Sequence, residues 1–173
     1  MQKIVFLDFD GVVNTELMYY LAMTQEGDWT DEYGLKFDPD SVANLKTVVD
    51  ATGAAIVAIT SWKVRGLDYL QDLWHQRQMP GELTDITPSS YIDFRPGRHC
   101  EPVCVEVPCE SKGEEITEWL QMEKAQGRET RYVIFDDCQD FTADQQPFFI
   151  RINSKVGITA QDAQRAIEIL GRG

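Results

Sequence analysis

Two pairs of acidic residues carry the first chemical signal of the chain: Asp8 and Asp10 on either side of Phe9, with Gly11 next, and Asp136-Asp137 far downstream. Each pair follows an apolar run. Between them lie a hydroxyl pair, Thr60-Ser61, also after an apolar run, and Lys112, just inside a segment that begins like a helix. Carboxylates gathered about 4 Å apart at an effective dielectric near 20 repel by roughly 4 kcal/mol per pair, so such a cluster needs a cation or bound protons. A ligand set made only of oxygen points to magnesium. Lys112 adds a positive charge in a first helical turn, where free backbone N–H groups and the positive dipole end favour an anion such as phosphate.

Ligands in open α/β sheets bind beyond the carboxyl ends of the strands, so the chemistry requires strands that end at these residues. Lys3 to Phe9 is a continuous apolar run of the kind found in a central parallel strand buried on both faces. Asp38-Pro39 supplies an N-cap and a first-turn proline. Val42, Leu45, Val48 and Val49 follow at helical spacing, and Gly53 closes that helix. Ala54 to Thr60 reads as a second buried strand, and Gly66 to Arg77 as a helix with Leu67, Leu70, Leu73 and Trp74 on one face. Ser111 to Glu114 is a capping box that starts a third helix with Ile116, Trp119 and Leu120 as its apolar stripe. Strands at Tyr132 to Phe135 and Phe148 to Ile152 follow, then a helix capped by Thr159 and closed by Gly171. This order predicts a doubly wound, three-layer α/β/α parallel sheet with right-handed crossovers, in one domain over residues 1–173. Two stretches stand outside the pattern. Residues 14–37 hold Tyr19, Tyr20, Trp29, Tyr33 and Phe37 without a clear period, and residues 78–110 hold five of the seven prolines. Both read as long irregular connections of the functional-loop kind, the first as a flap over the crevice.

The four motifs, in this order and in these strand and helix contexts, resemble those of the haloacid dehalogenase (HAD) superfamily. Asp8-Phe9-Asp10-Gly11-Val12 resembles its Asp-x-Asp-Gly motif, Thr60 its hydroxyl motif, Lys112-Gly113 its lysine motif and Asp136-Asp137 its acidic motif. The stretches Ile59-Thr60-Ser61-Trp62-Lys63 and Ser154 to Thr159 are further similar to the phosphatase-like domains associated with bacterial RNA repair proteins. The resemblance implies a Rossmann-like fold with a minimal cap or none and a magnesium-dependent phosphatase acting on phosphate monoesters. Asp8 would attack phosphorus to form an aspartyl-phosphate, and Asp10 would serve as acid and then base. Magnesium would be held by Asp8, Asp137 and the backbone carbonyl of Asp10, with Asp136 supporting Lys112 or water on the ion. Thr60 and Ser61 would bind the phosphoryl oxygens together with Lys112. The implied partner is a phosphorylated substrate: a small metabolite, a nucleotide or a nucleic-acid end.

Each residue also has a plainer reading. Asp-x-Asp-Gly by itself is equally a turn or a calcium-loop fragment, Asp136-Asp137 a solvated strand end, and Lys112 an exposed helix residue. Thr60 and Ser61 suit a strand end that needs backbone partners, and Trp62, which follows the hydroxyl motif, suits packing at least as well as shaping the pocket. His99, Cys100, Cys104 and Cys109 lack the paired Cys-x2-Cys spacing of common zinc sites and read as loop thiols. Cys138 has no basic neighbour in sequence and reads as inert, and Arg95 and Arg98 as solvated loop residues. Two other functions fit part of the pattern. A receiver-type phosphoacceptor uses the same residue types, but its lysine comes late, whereas here Lys112 precedes the acid pair. A non-catalytic binding module of the same fold has the acidic surface as its support. The net charge is −13, with 16 basic and 29 acidic residues, which excludes tight non-specific binding to nucleic-acid backbone. Hydrophobic residues at 43% and charged residues at 26% are ordinary globular usage. The N-terminal apolar run is too short for a membrane span or signal peptide, and four cysteines make no disulfide scaffold, so a cytoplasmic protein is expected.

Overall fold

The computed structural model of the chain describes residues 1–88 and 111–171. Among these, five parallel strands form the sheet: β1 (Gln2–Leu7), β4 (Ala55–Ala58), β5 (Leu83–Ile86), β6 (Thr130–Asp136) and β7 (Phe149–Arg151), in the order β5-β4-β1-β6-β7. Five helices accompany it among the described residues: α1 (Glu16–Thr24), α2 (Pro39–Thr52), α3 (Leu67–Gln76), α4 (Lys112–Ala125) and α5 (Ala160–Gly171). A hairpin of β2 (Thr30–Asp31) and β3 (Gly34–Leu35) lies apart from the sheet.

The central strand explains the layers. Val5, Phe6 and Leu7 are fully buried, as a strand covered on both faces requires. Val5 and Leu7 face a core built with α2, α3 and α5 through Leu45, Leu70, Leu73 and Ala166. Phe6 points the other way, into a smaller core with Ile116 and Trp119 of α4, its ring edge-on to Trp119 at 5.3 Å between centroids. The connections that leave β1 and β4 run over the first face, and α4 crosses on the second to return the chain to β6. The sense of winding therefore reverses beside β1, which opens a crevice at the carboxyl ends of β1 and β6.

The predicted boundaries of α2, α3 and α5 and the predicted start of α4 hold to within a residue or two, and at α2, α4 and α5 the caps explain why. Asp38 accepts from the backbone N–H groups of Asp40 and Ser41. Ser111 and Glu114 close a reciprocal capping box, and Thr159 and Asp162 exchange bonds at the start of α5. The expectation of irregular chain fails in two places. Residues 14–37 contain α1 and the hairpin. Helix α1 buries only Met18 and is apolar around most of its circumference, so no stripe marks it. In the stretch 78–110, Leu83–Ile86 is an edge strand of four residues, bracketed by Pro80-Gly81 and Pro88, in which Thr84 and Asp85 break the apolar run. His99, Cys100, Cys104, Cys109, Arg95 and Arg98 lie outside the described residues. Among the described residues no helix is long and apolar enough to cross a membrane.

Two glycines with positive φ face opposite demands. Gly53, at φ 65°, ends α2 with no heavy atom near where a Cβ would stand, whereas a Cβ on Gly157, at φ 68°, would meet Ser41 Oγ at 1.8 Å and the Val12 carbonyl oxygen at 2.6 Å. Gly53→Ala is expected to cost about 1 to 2 kcal/mol, the left-handed penalty alone. Gly157→Ala adds overpacking to that penalty and is expected to cost about 3 kcal/mol or more. Urea denaturation of the two variants beside the parent checks the difference.

Candidate active site

Strand β1 stops pairing at Leu7, and the chain turns so that Asp8 points into the crevice. The Asp8 N–H still donates to the Phe135 carbonyl at 3.0 Å, which locks the acid to the adjacent β6. Its Oδ1 accepts from the Phe9 N–H at 2.9 Å, and its Oδ2 accepts from Lys112 Nζ at 2.7 Å. The same ammonium donates to Asp136 Oδ2 at 2.7 Å, and Asp136 Oδ1 accepts from the Cys138 N–H at 2.8 Å. Three elements, β1, β6 and α4, thus meet at one nitrogen.

Burial sets the charges of this trio. It pushes the Asp8 carboxyl up to about 6, with the Asp136 charge adding to the rise and Lys112 opposing it. Burial likewise raises Asp136 against the pull of Lys112. The Lys112 ammonium loses hydration as well, but Asp8 and Asp136 together hold it above the ordinary lysine value. One cation between two buried carboxylates leaves the second acid undercompensated, so a further cation or proton lowers the free energy of the site.

Asp10 stands at the mouth, and a donor holds each of its oxygens. Oδ1 accepts from Asn14 Nδ2 at 2.9 Å and Oδ2 from the indole N–H of Trp62 at 2.9 Å. The turn between Asp10 and Asn14 is tight, because the N–H groups of Val12, Val13 and Asn14 all reach the Phe9 carbonyl. Gly11 takes φ 78° there, and a Cβ on it would stand 2.5 Å from both Cγ and Oδ2 of Asp137. The carboxylate of Asp137 therefore lies directly on the turn that follows Asp10.

Thr60 is fully buried, and its Oγ1 accepts from the Trp62 N–H at 3.3 Å, capping the short 3-10 turn over Ser61–Arg65. The Ile59 N–H bonds the Leu7 carbonyl, so Thr60 is carried to the level of Asp8 on the neighbouring strand. Ser61 is exposed and shows no side-chain hydrogen bond among the described residues. The predicted set divides accordingly: Asp8, Lys112 and Asp136 are in direct contact, Asp10 and Asp137 flank Gly11, Thr60 lies one strand over, and Ser61 stands apart.

The structure adds three participants that the motifs do not contain. Asn14 holds Asp10. Lys63, in the turn after Thr60, is buried and bonds Glu115 and, at 2.9 Å, Thr87 Oγ1. Burial lowers the Lys63 ammonium, with Glu115 opposing the shift. This pair fastens the first turn of α4 to the loop after β4. Glu115 carries a legible signal, since 112, 115, 116, 119 and 123 share one helical stripe, which places an acid in a buried row. Cys138 is exposed, and partial burial with Asp137 and Asp136 nearby pushes its thiol up, as an unreactive thiol requires. A cavity of about 620 Å³ beside Trp74, His75 and Glu82 opens at the amino end of β5 and contains none of the site residues. The candidate site lies instead at the carboxyl ends of the strands, where ligands bind in open α/β sheets.

A family model described as the HAD domain in Swiss Army Knife RNA repair proteins matches residues 4–163. The chain belongs to that family. No curated protein matches the chain. The parallel five-stranded sheet is the HAD fold with no large cap evident among the described residues, and the family points, at a coarse level, to a hydrolase of the phosphatase kind. HAD domains generally use magnesium, and the donor set here fits that ion. The Asp8 and Asp137 carboxylates and the Asp10 carbonyl are hard oxygen donors, and the Asp137 carboxylate rests where Gly11 leaves out a side chain. Asp136, Asp137 and Cys138 place one potential ligand atom each within 4.8 Å of one another. A thiol is a poor magnesium ligand, so the two acids are the relevant members.

The raised Asp8 carboxyl has a consequence for stability. Unfolded, it ionises near 3.8, and folded, near 6. The native state therefore binds more protons in this window, and the Asp8 contribution to stability falls as pH rises from about 4 to about 6. Above that window the buried, ionised acid destabilises the fold. With divalent cations chelated, Asp8→Asn is expected to melt above the parent at pH 7.5, the advantage shrinking toward zero as pH falls to 4. Thermal melts across that range check both sign and window.

Proposed function

We propose that the chain is a magnesium-dependent phosphomonoesterase that passes the phosphoryl group through Asp8. The observation that supports this most directly is the Lys112 ammonium bonded at once to Asp8 and Asp136, with Asp10 two residues on at the mouth of the same crevice. Burial and the bond to Phe9 N–H fix the Asp8 carboxylate in one orientation, as an in-line nucleophile needs. One Asp8 oxygen bonds phosphorus while the ester bond breaks, and Asp10 gives its proton to the departing oxygen. Asp10 then takes a proton from water, whose oxygen attacks phosphorus, releasing phosphate and restoring the Asp8 carboxylate. Lys112 and the Thr60 hydroxyl stabilise the equatorial oxygens, where charge accumulates. Asp8, Asp137 and the Asp10 carbonyl would hold magnesium, which supplies the positive charge that lets an anionic nucleophile meet an anionic ester.

For the substrate, the RNA repair context in the family description supports a phosphorylated nucleic-acid end over a small metabolite. A net charge of −13 fits capture of a terminus and disfavours a grip along a backbone. Helix α1 sets the wall on that side, with Tyr19 and Tyr20 exposed. Two other aromatics of residues 14–37 do different work: Phe37 packs edge-on against Phe9 in the core, and Tyr33 donates to Asp72 of α3.

Phosphate release from terminal nucleotide phosphates and from para-nitrophenyl phosphate, with and without magnesium, tests the reading. Asp8→Asn is expected to lose at least about a hundredfold in kcat, roughly 2.7 kcal/mol of barrier, while keeping a cooperative melt. A variant that keeps a tenth of the parental kcat contradicts the nucleophile role. Magnesium should raise the parental Tm by mass action. Asp137→Ala should lose most of that rise and Asp136→Ala less, since Asp136 already bonds Lys112. Equal losses would overturn this division of the acid pair, and an acyl phosphate that persists would favour a phosphoacceptor instead.

A further inference from the structure

The reading of Asp10 as acid and base leaves open what aims its carboxyl group. Asp10 lies on a turn at the mouth, outside the sheet, so backbone pairing with a neighbouring strand does not fix its side chain as it fixes Asp8. Two side chains do so. The Trp62 indole N–H reaches Oδ2 at 2.9 Å from the loop after β4, and Asn14 Nδ2 reaches Oδ1 at 2.9 Å from the loop before α1. The indole is itself held, with Phe9 at 5.9 Å and Phe37 at 6.2 Å between ring centroids. Its N–H therefore points in one direction.

Asn14 gives up an acceptor to make its contact. The residue is 2% exposed, and its Oδ1 has no hydrogen-bond partner among the described residues, whereas Nδ2 also meets the Tyr19 hydroxyl at 3.2 Å. A buried amide oxygen without a partner is disfavoured. Rotating the amide by half a turn would set that oxygen against Asp10 Oδ1, and the repulsion between acceptors keeps it where it is. The orientation of Asn14 thus follows from the acid it serves.

We infer that Trp62 is a positioning residue for leaving-group protonation, acting with Asn14 to hold the Asp10 carboxyl toward the departing oxygen. The inference rests on the hydrolase reading above. A carboxylate offers about four lone-pair directions, and the two donors take one on each oxygen, leaving one on each for a proton and the substrate. Packing alone would ask only for an aromatic ring at position 62. The hydrogen bond asks for an indole.

Leaving-group chemistry separates the two roles. An alkyl phosphate, such as a nucleoside 5′-monophosphate, departs as a poor alkoxide and needs the proton, while para-nitrophenolate leaves without it. Trp62→Phe keeps a ring against Phe9 and Phe37 and removes the N–H. It is expected to lower kcat/KM, which reports only the steps up to formation of the aspartyl-phosphate, at least about tenfold for the alkyl ester, which is 1.4 kcal/mol, with a change of less than about threefold for para-nitrophenyl phosphate. It should add no further loss in an Asp10→Asn background. An equal loss of kcat/KM for both esters, or a full additive loss on top of Asp10→Asn, overturns the inference while the hydrolase reading stands. A parent that hydrolyses neither ester overturns both. Should Trp62→Phe not fold, the indole proton resonance of Trp62 decides: it should shift in Asp10→Ala, and an unmoved resonance shows that the contact is absent.

Discussion

A single ammonium group organises this molecule. Lys112 Nζ lies 2.7 Å from a carboxylate at the end of the central strand and 2.7 Å from another at the end of its neighbour. Buried like charges on adjacent strands repel, and without the lysine the two acids would raise each other and burial would raise both further. The lysine can be there only if α4 begins at that point, on the opposite face of the sheet from α2, α3 and α5. The second crossover, the reversal of winding and the smaller core of Phe6, Ile116 and Trp119 all serve that placement.

Such a cation needs an anchored helix. The Ser111 and Glu114 capping box fixes the first turn from within, and Lys63 and Glu115 fix it from the neighbouring loop. A buried ion pair adds little net stability, but losing one partner costs about 3 to 5 kcal/mol, so its effect is to admit one arrangement and penalise the alternatives. The same turn after β4 carries Thr60, Trp62 and Lys63, the first at the level of Asp8 and proposed to bind phosphate, the second bonded to Asp10 and the third to the α4 anchor Glu115. Coupling among the hydroxyl, the acid and the lysine follows from three nearby positions on one short stretch of chain. The hairpin is fastened to that region too, since Arg77, just after α3, holds Asp31 through two bonds at 2.8 and 2.7 Å.

Much of this is legible in the residues alone. Periodicity and caps locate four helices, because Asp38, Gly53, Ser111 and Thr159 act locally and their effect reads directly from residue type. Four of the five sheet strands are apolar runs long enough to see. Helix α1 is hidden because it lies on the surface with Leu17, Tyr19, Tyr20 and Met23 outward, so no polar face contrasts with a buried one. Strand β5 is hidden by its composition, since Thr84 and Asp85 interrupt its apolar residues. At the site, the order of motifs identifies Asp8, Asp10, Thr60, Lys112 and Asp136-Asp137, but their mutual contacts depend on strand order, which no local pattern encodes. The contacts of Asn14 and Trp62 with Asp10 fall in the same class. An indole reaches a carboxylate 52 positions away only because β4 lies beside β1.

The glycine at position 11 is constrained twice, and the two constraints have different histories available to them. Its positive φ of 78° admits glycine readily and asparagine or aspartate at some cost. The carboxylate of Asp137 forbids any Cβ at all. A descendant that had ceased to need the acid at 137 would be released from the second restriction while still under the first. Asparagine at position 11 would then become compatible with a small residue at 137, whereas aspartate at 137 keeps position 11 a glycine.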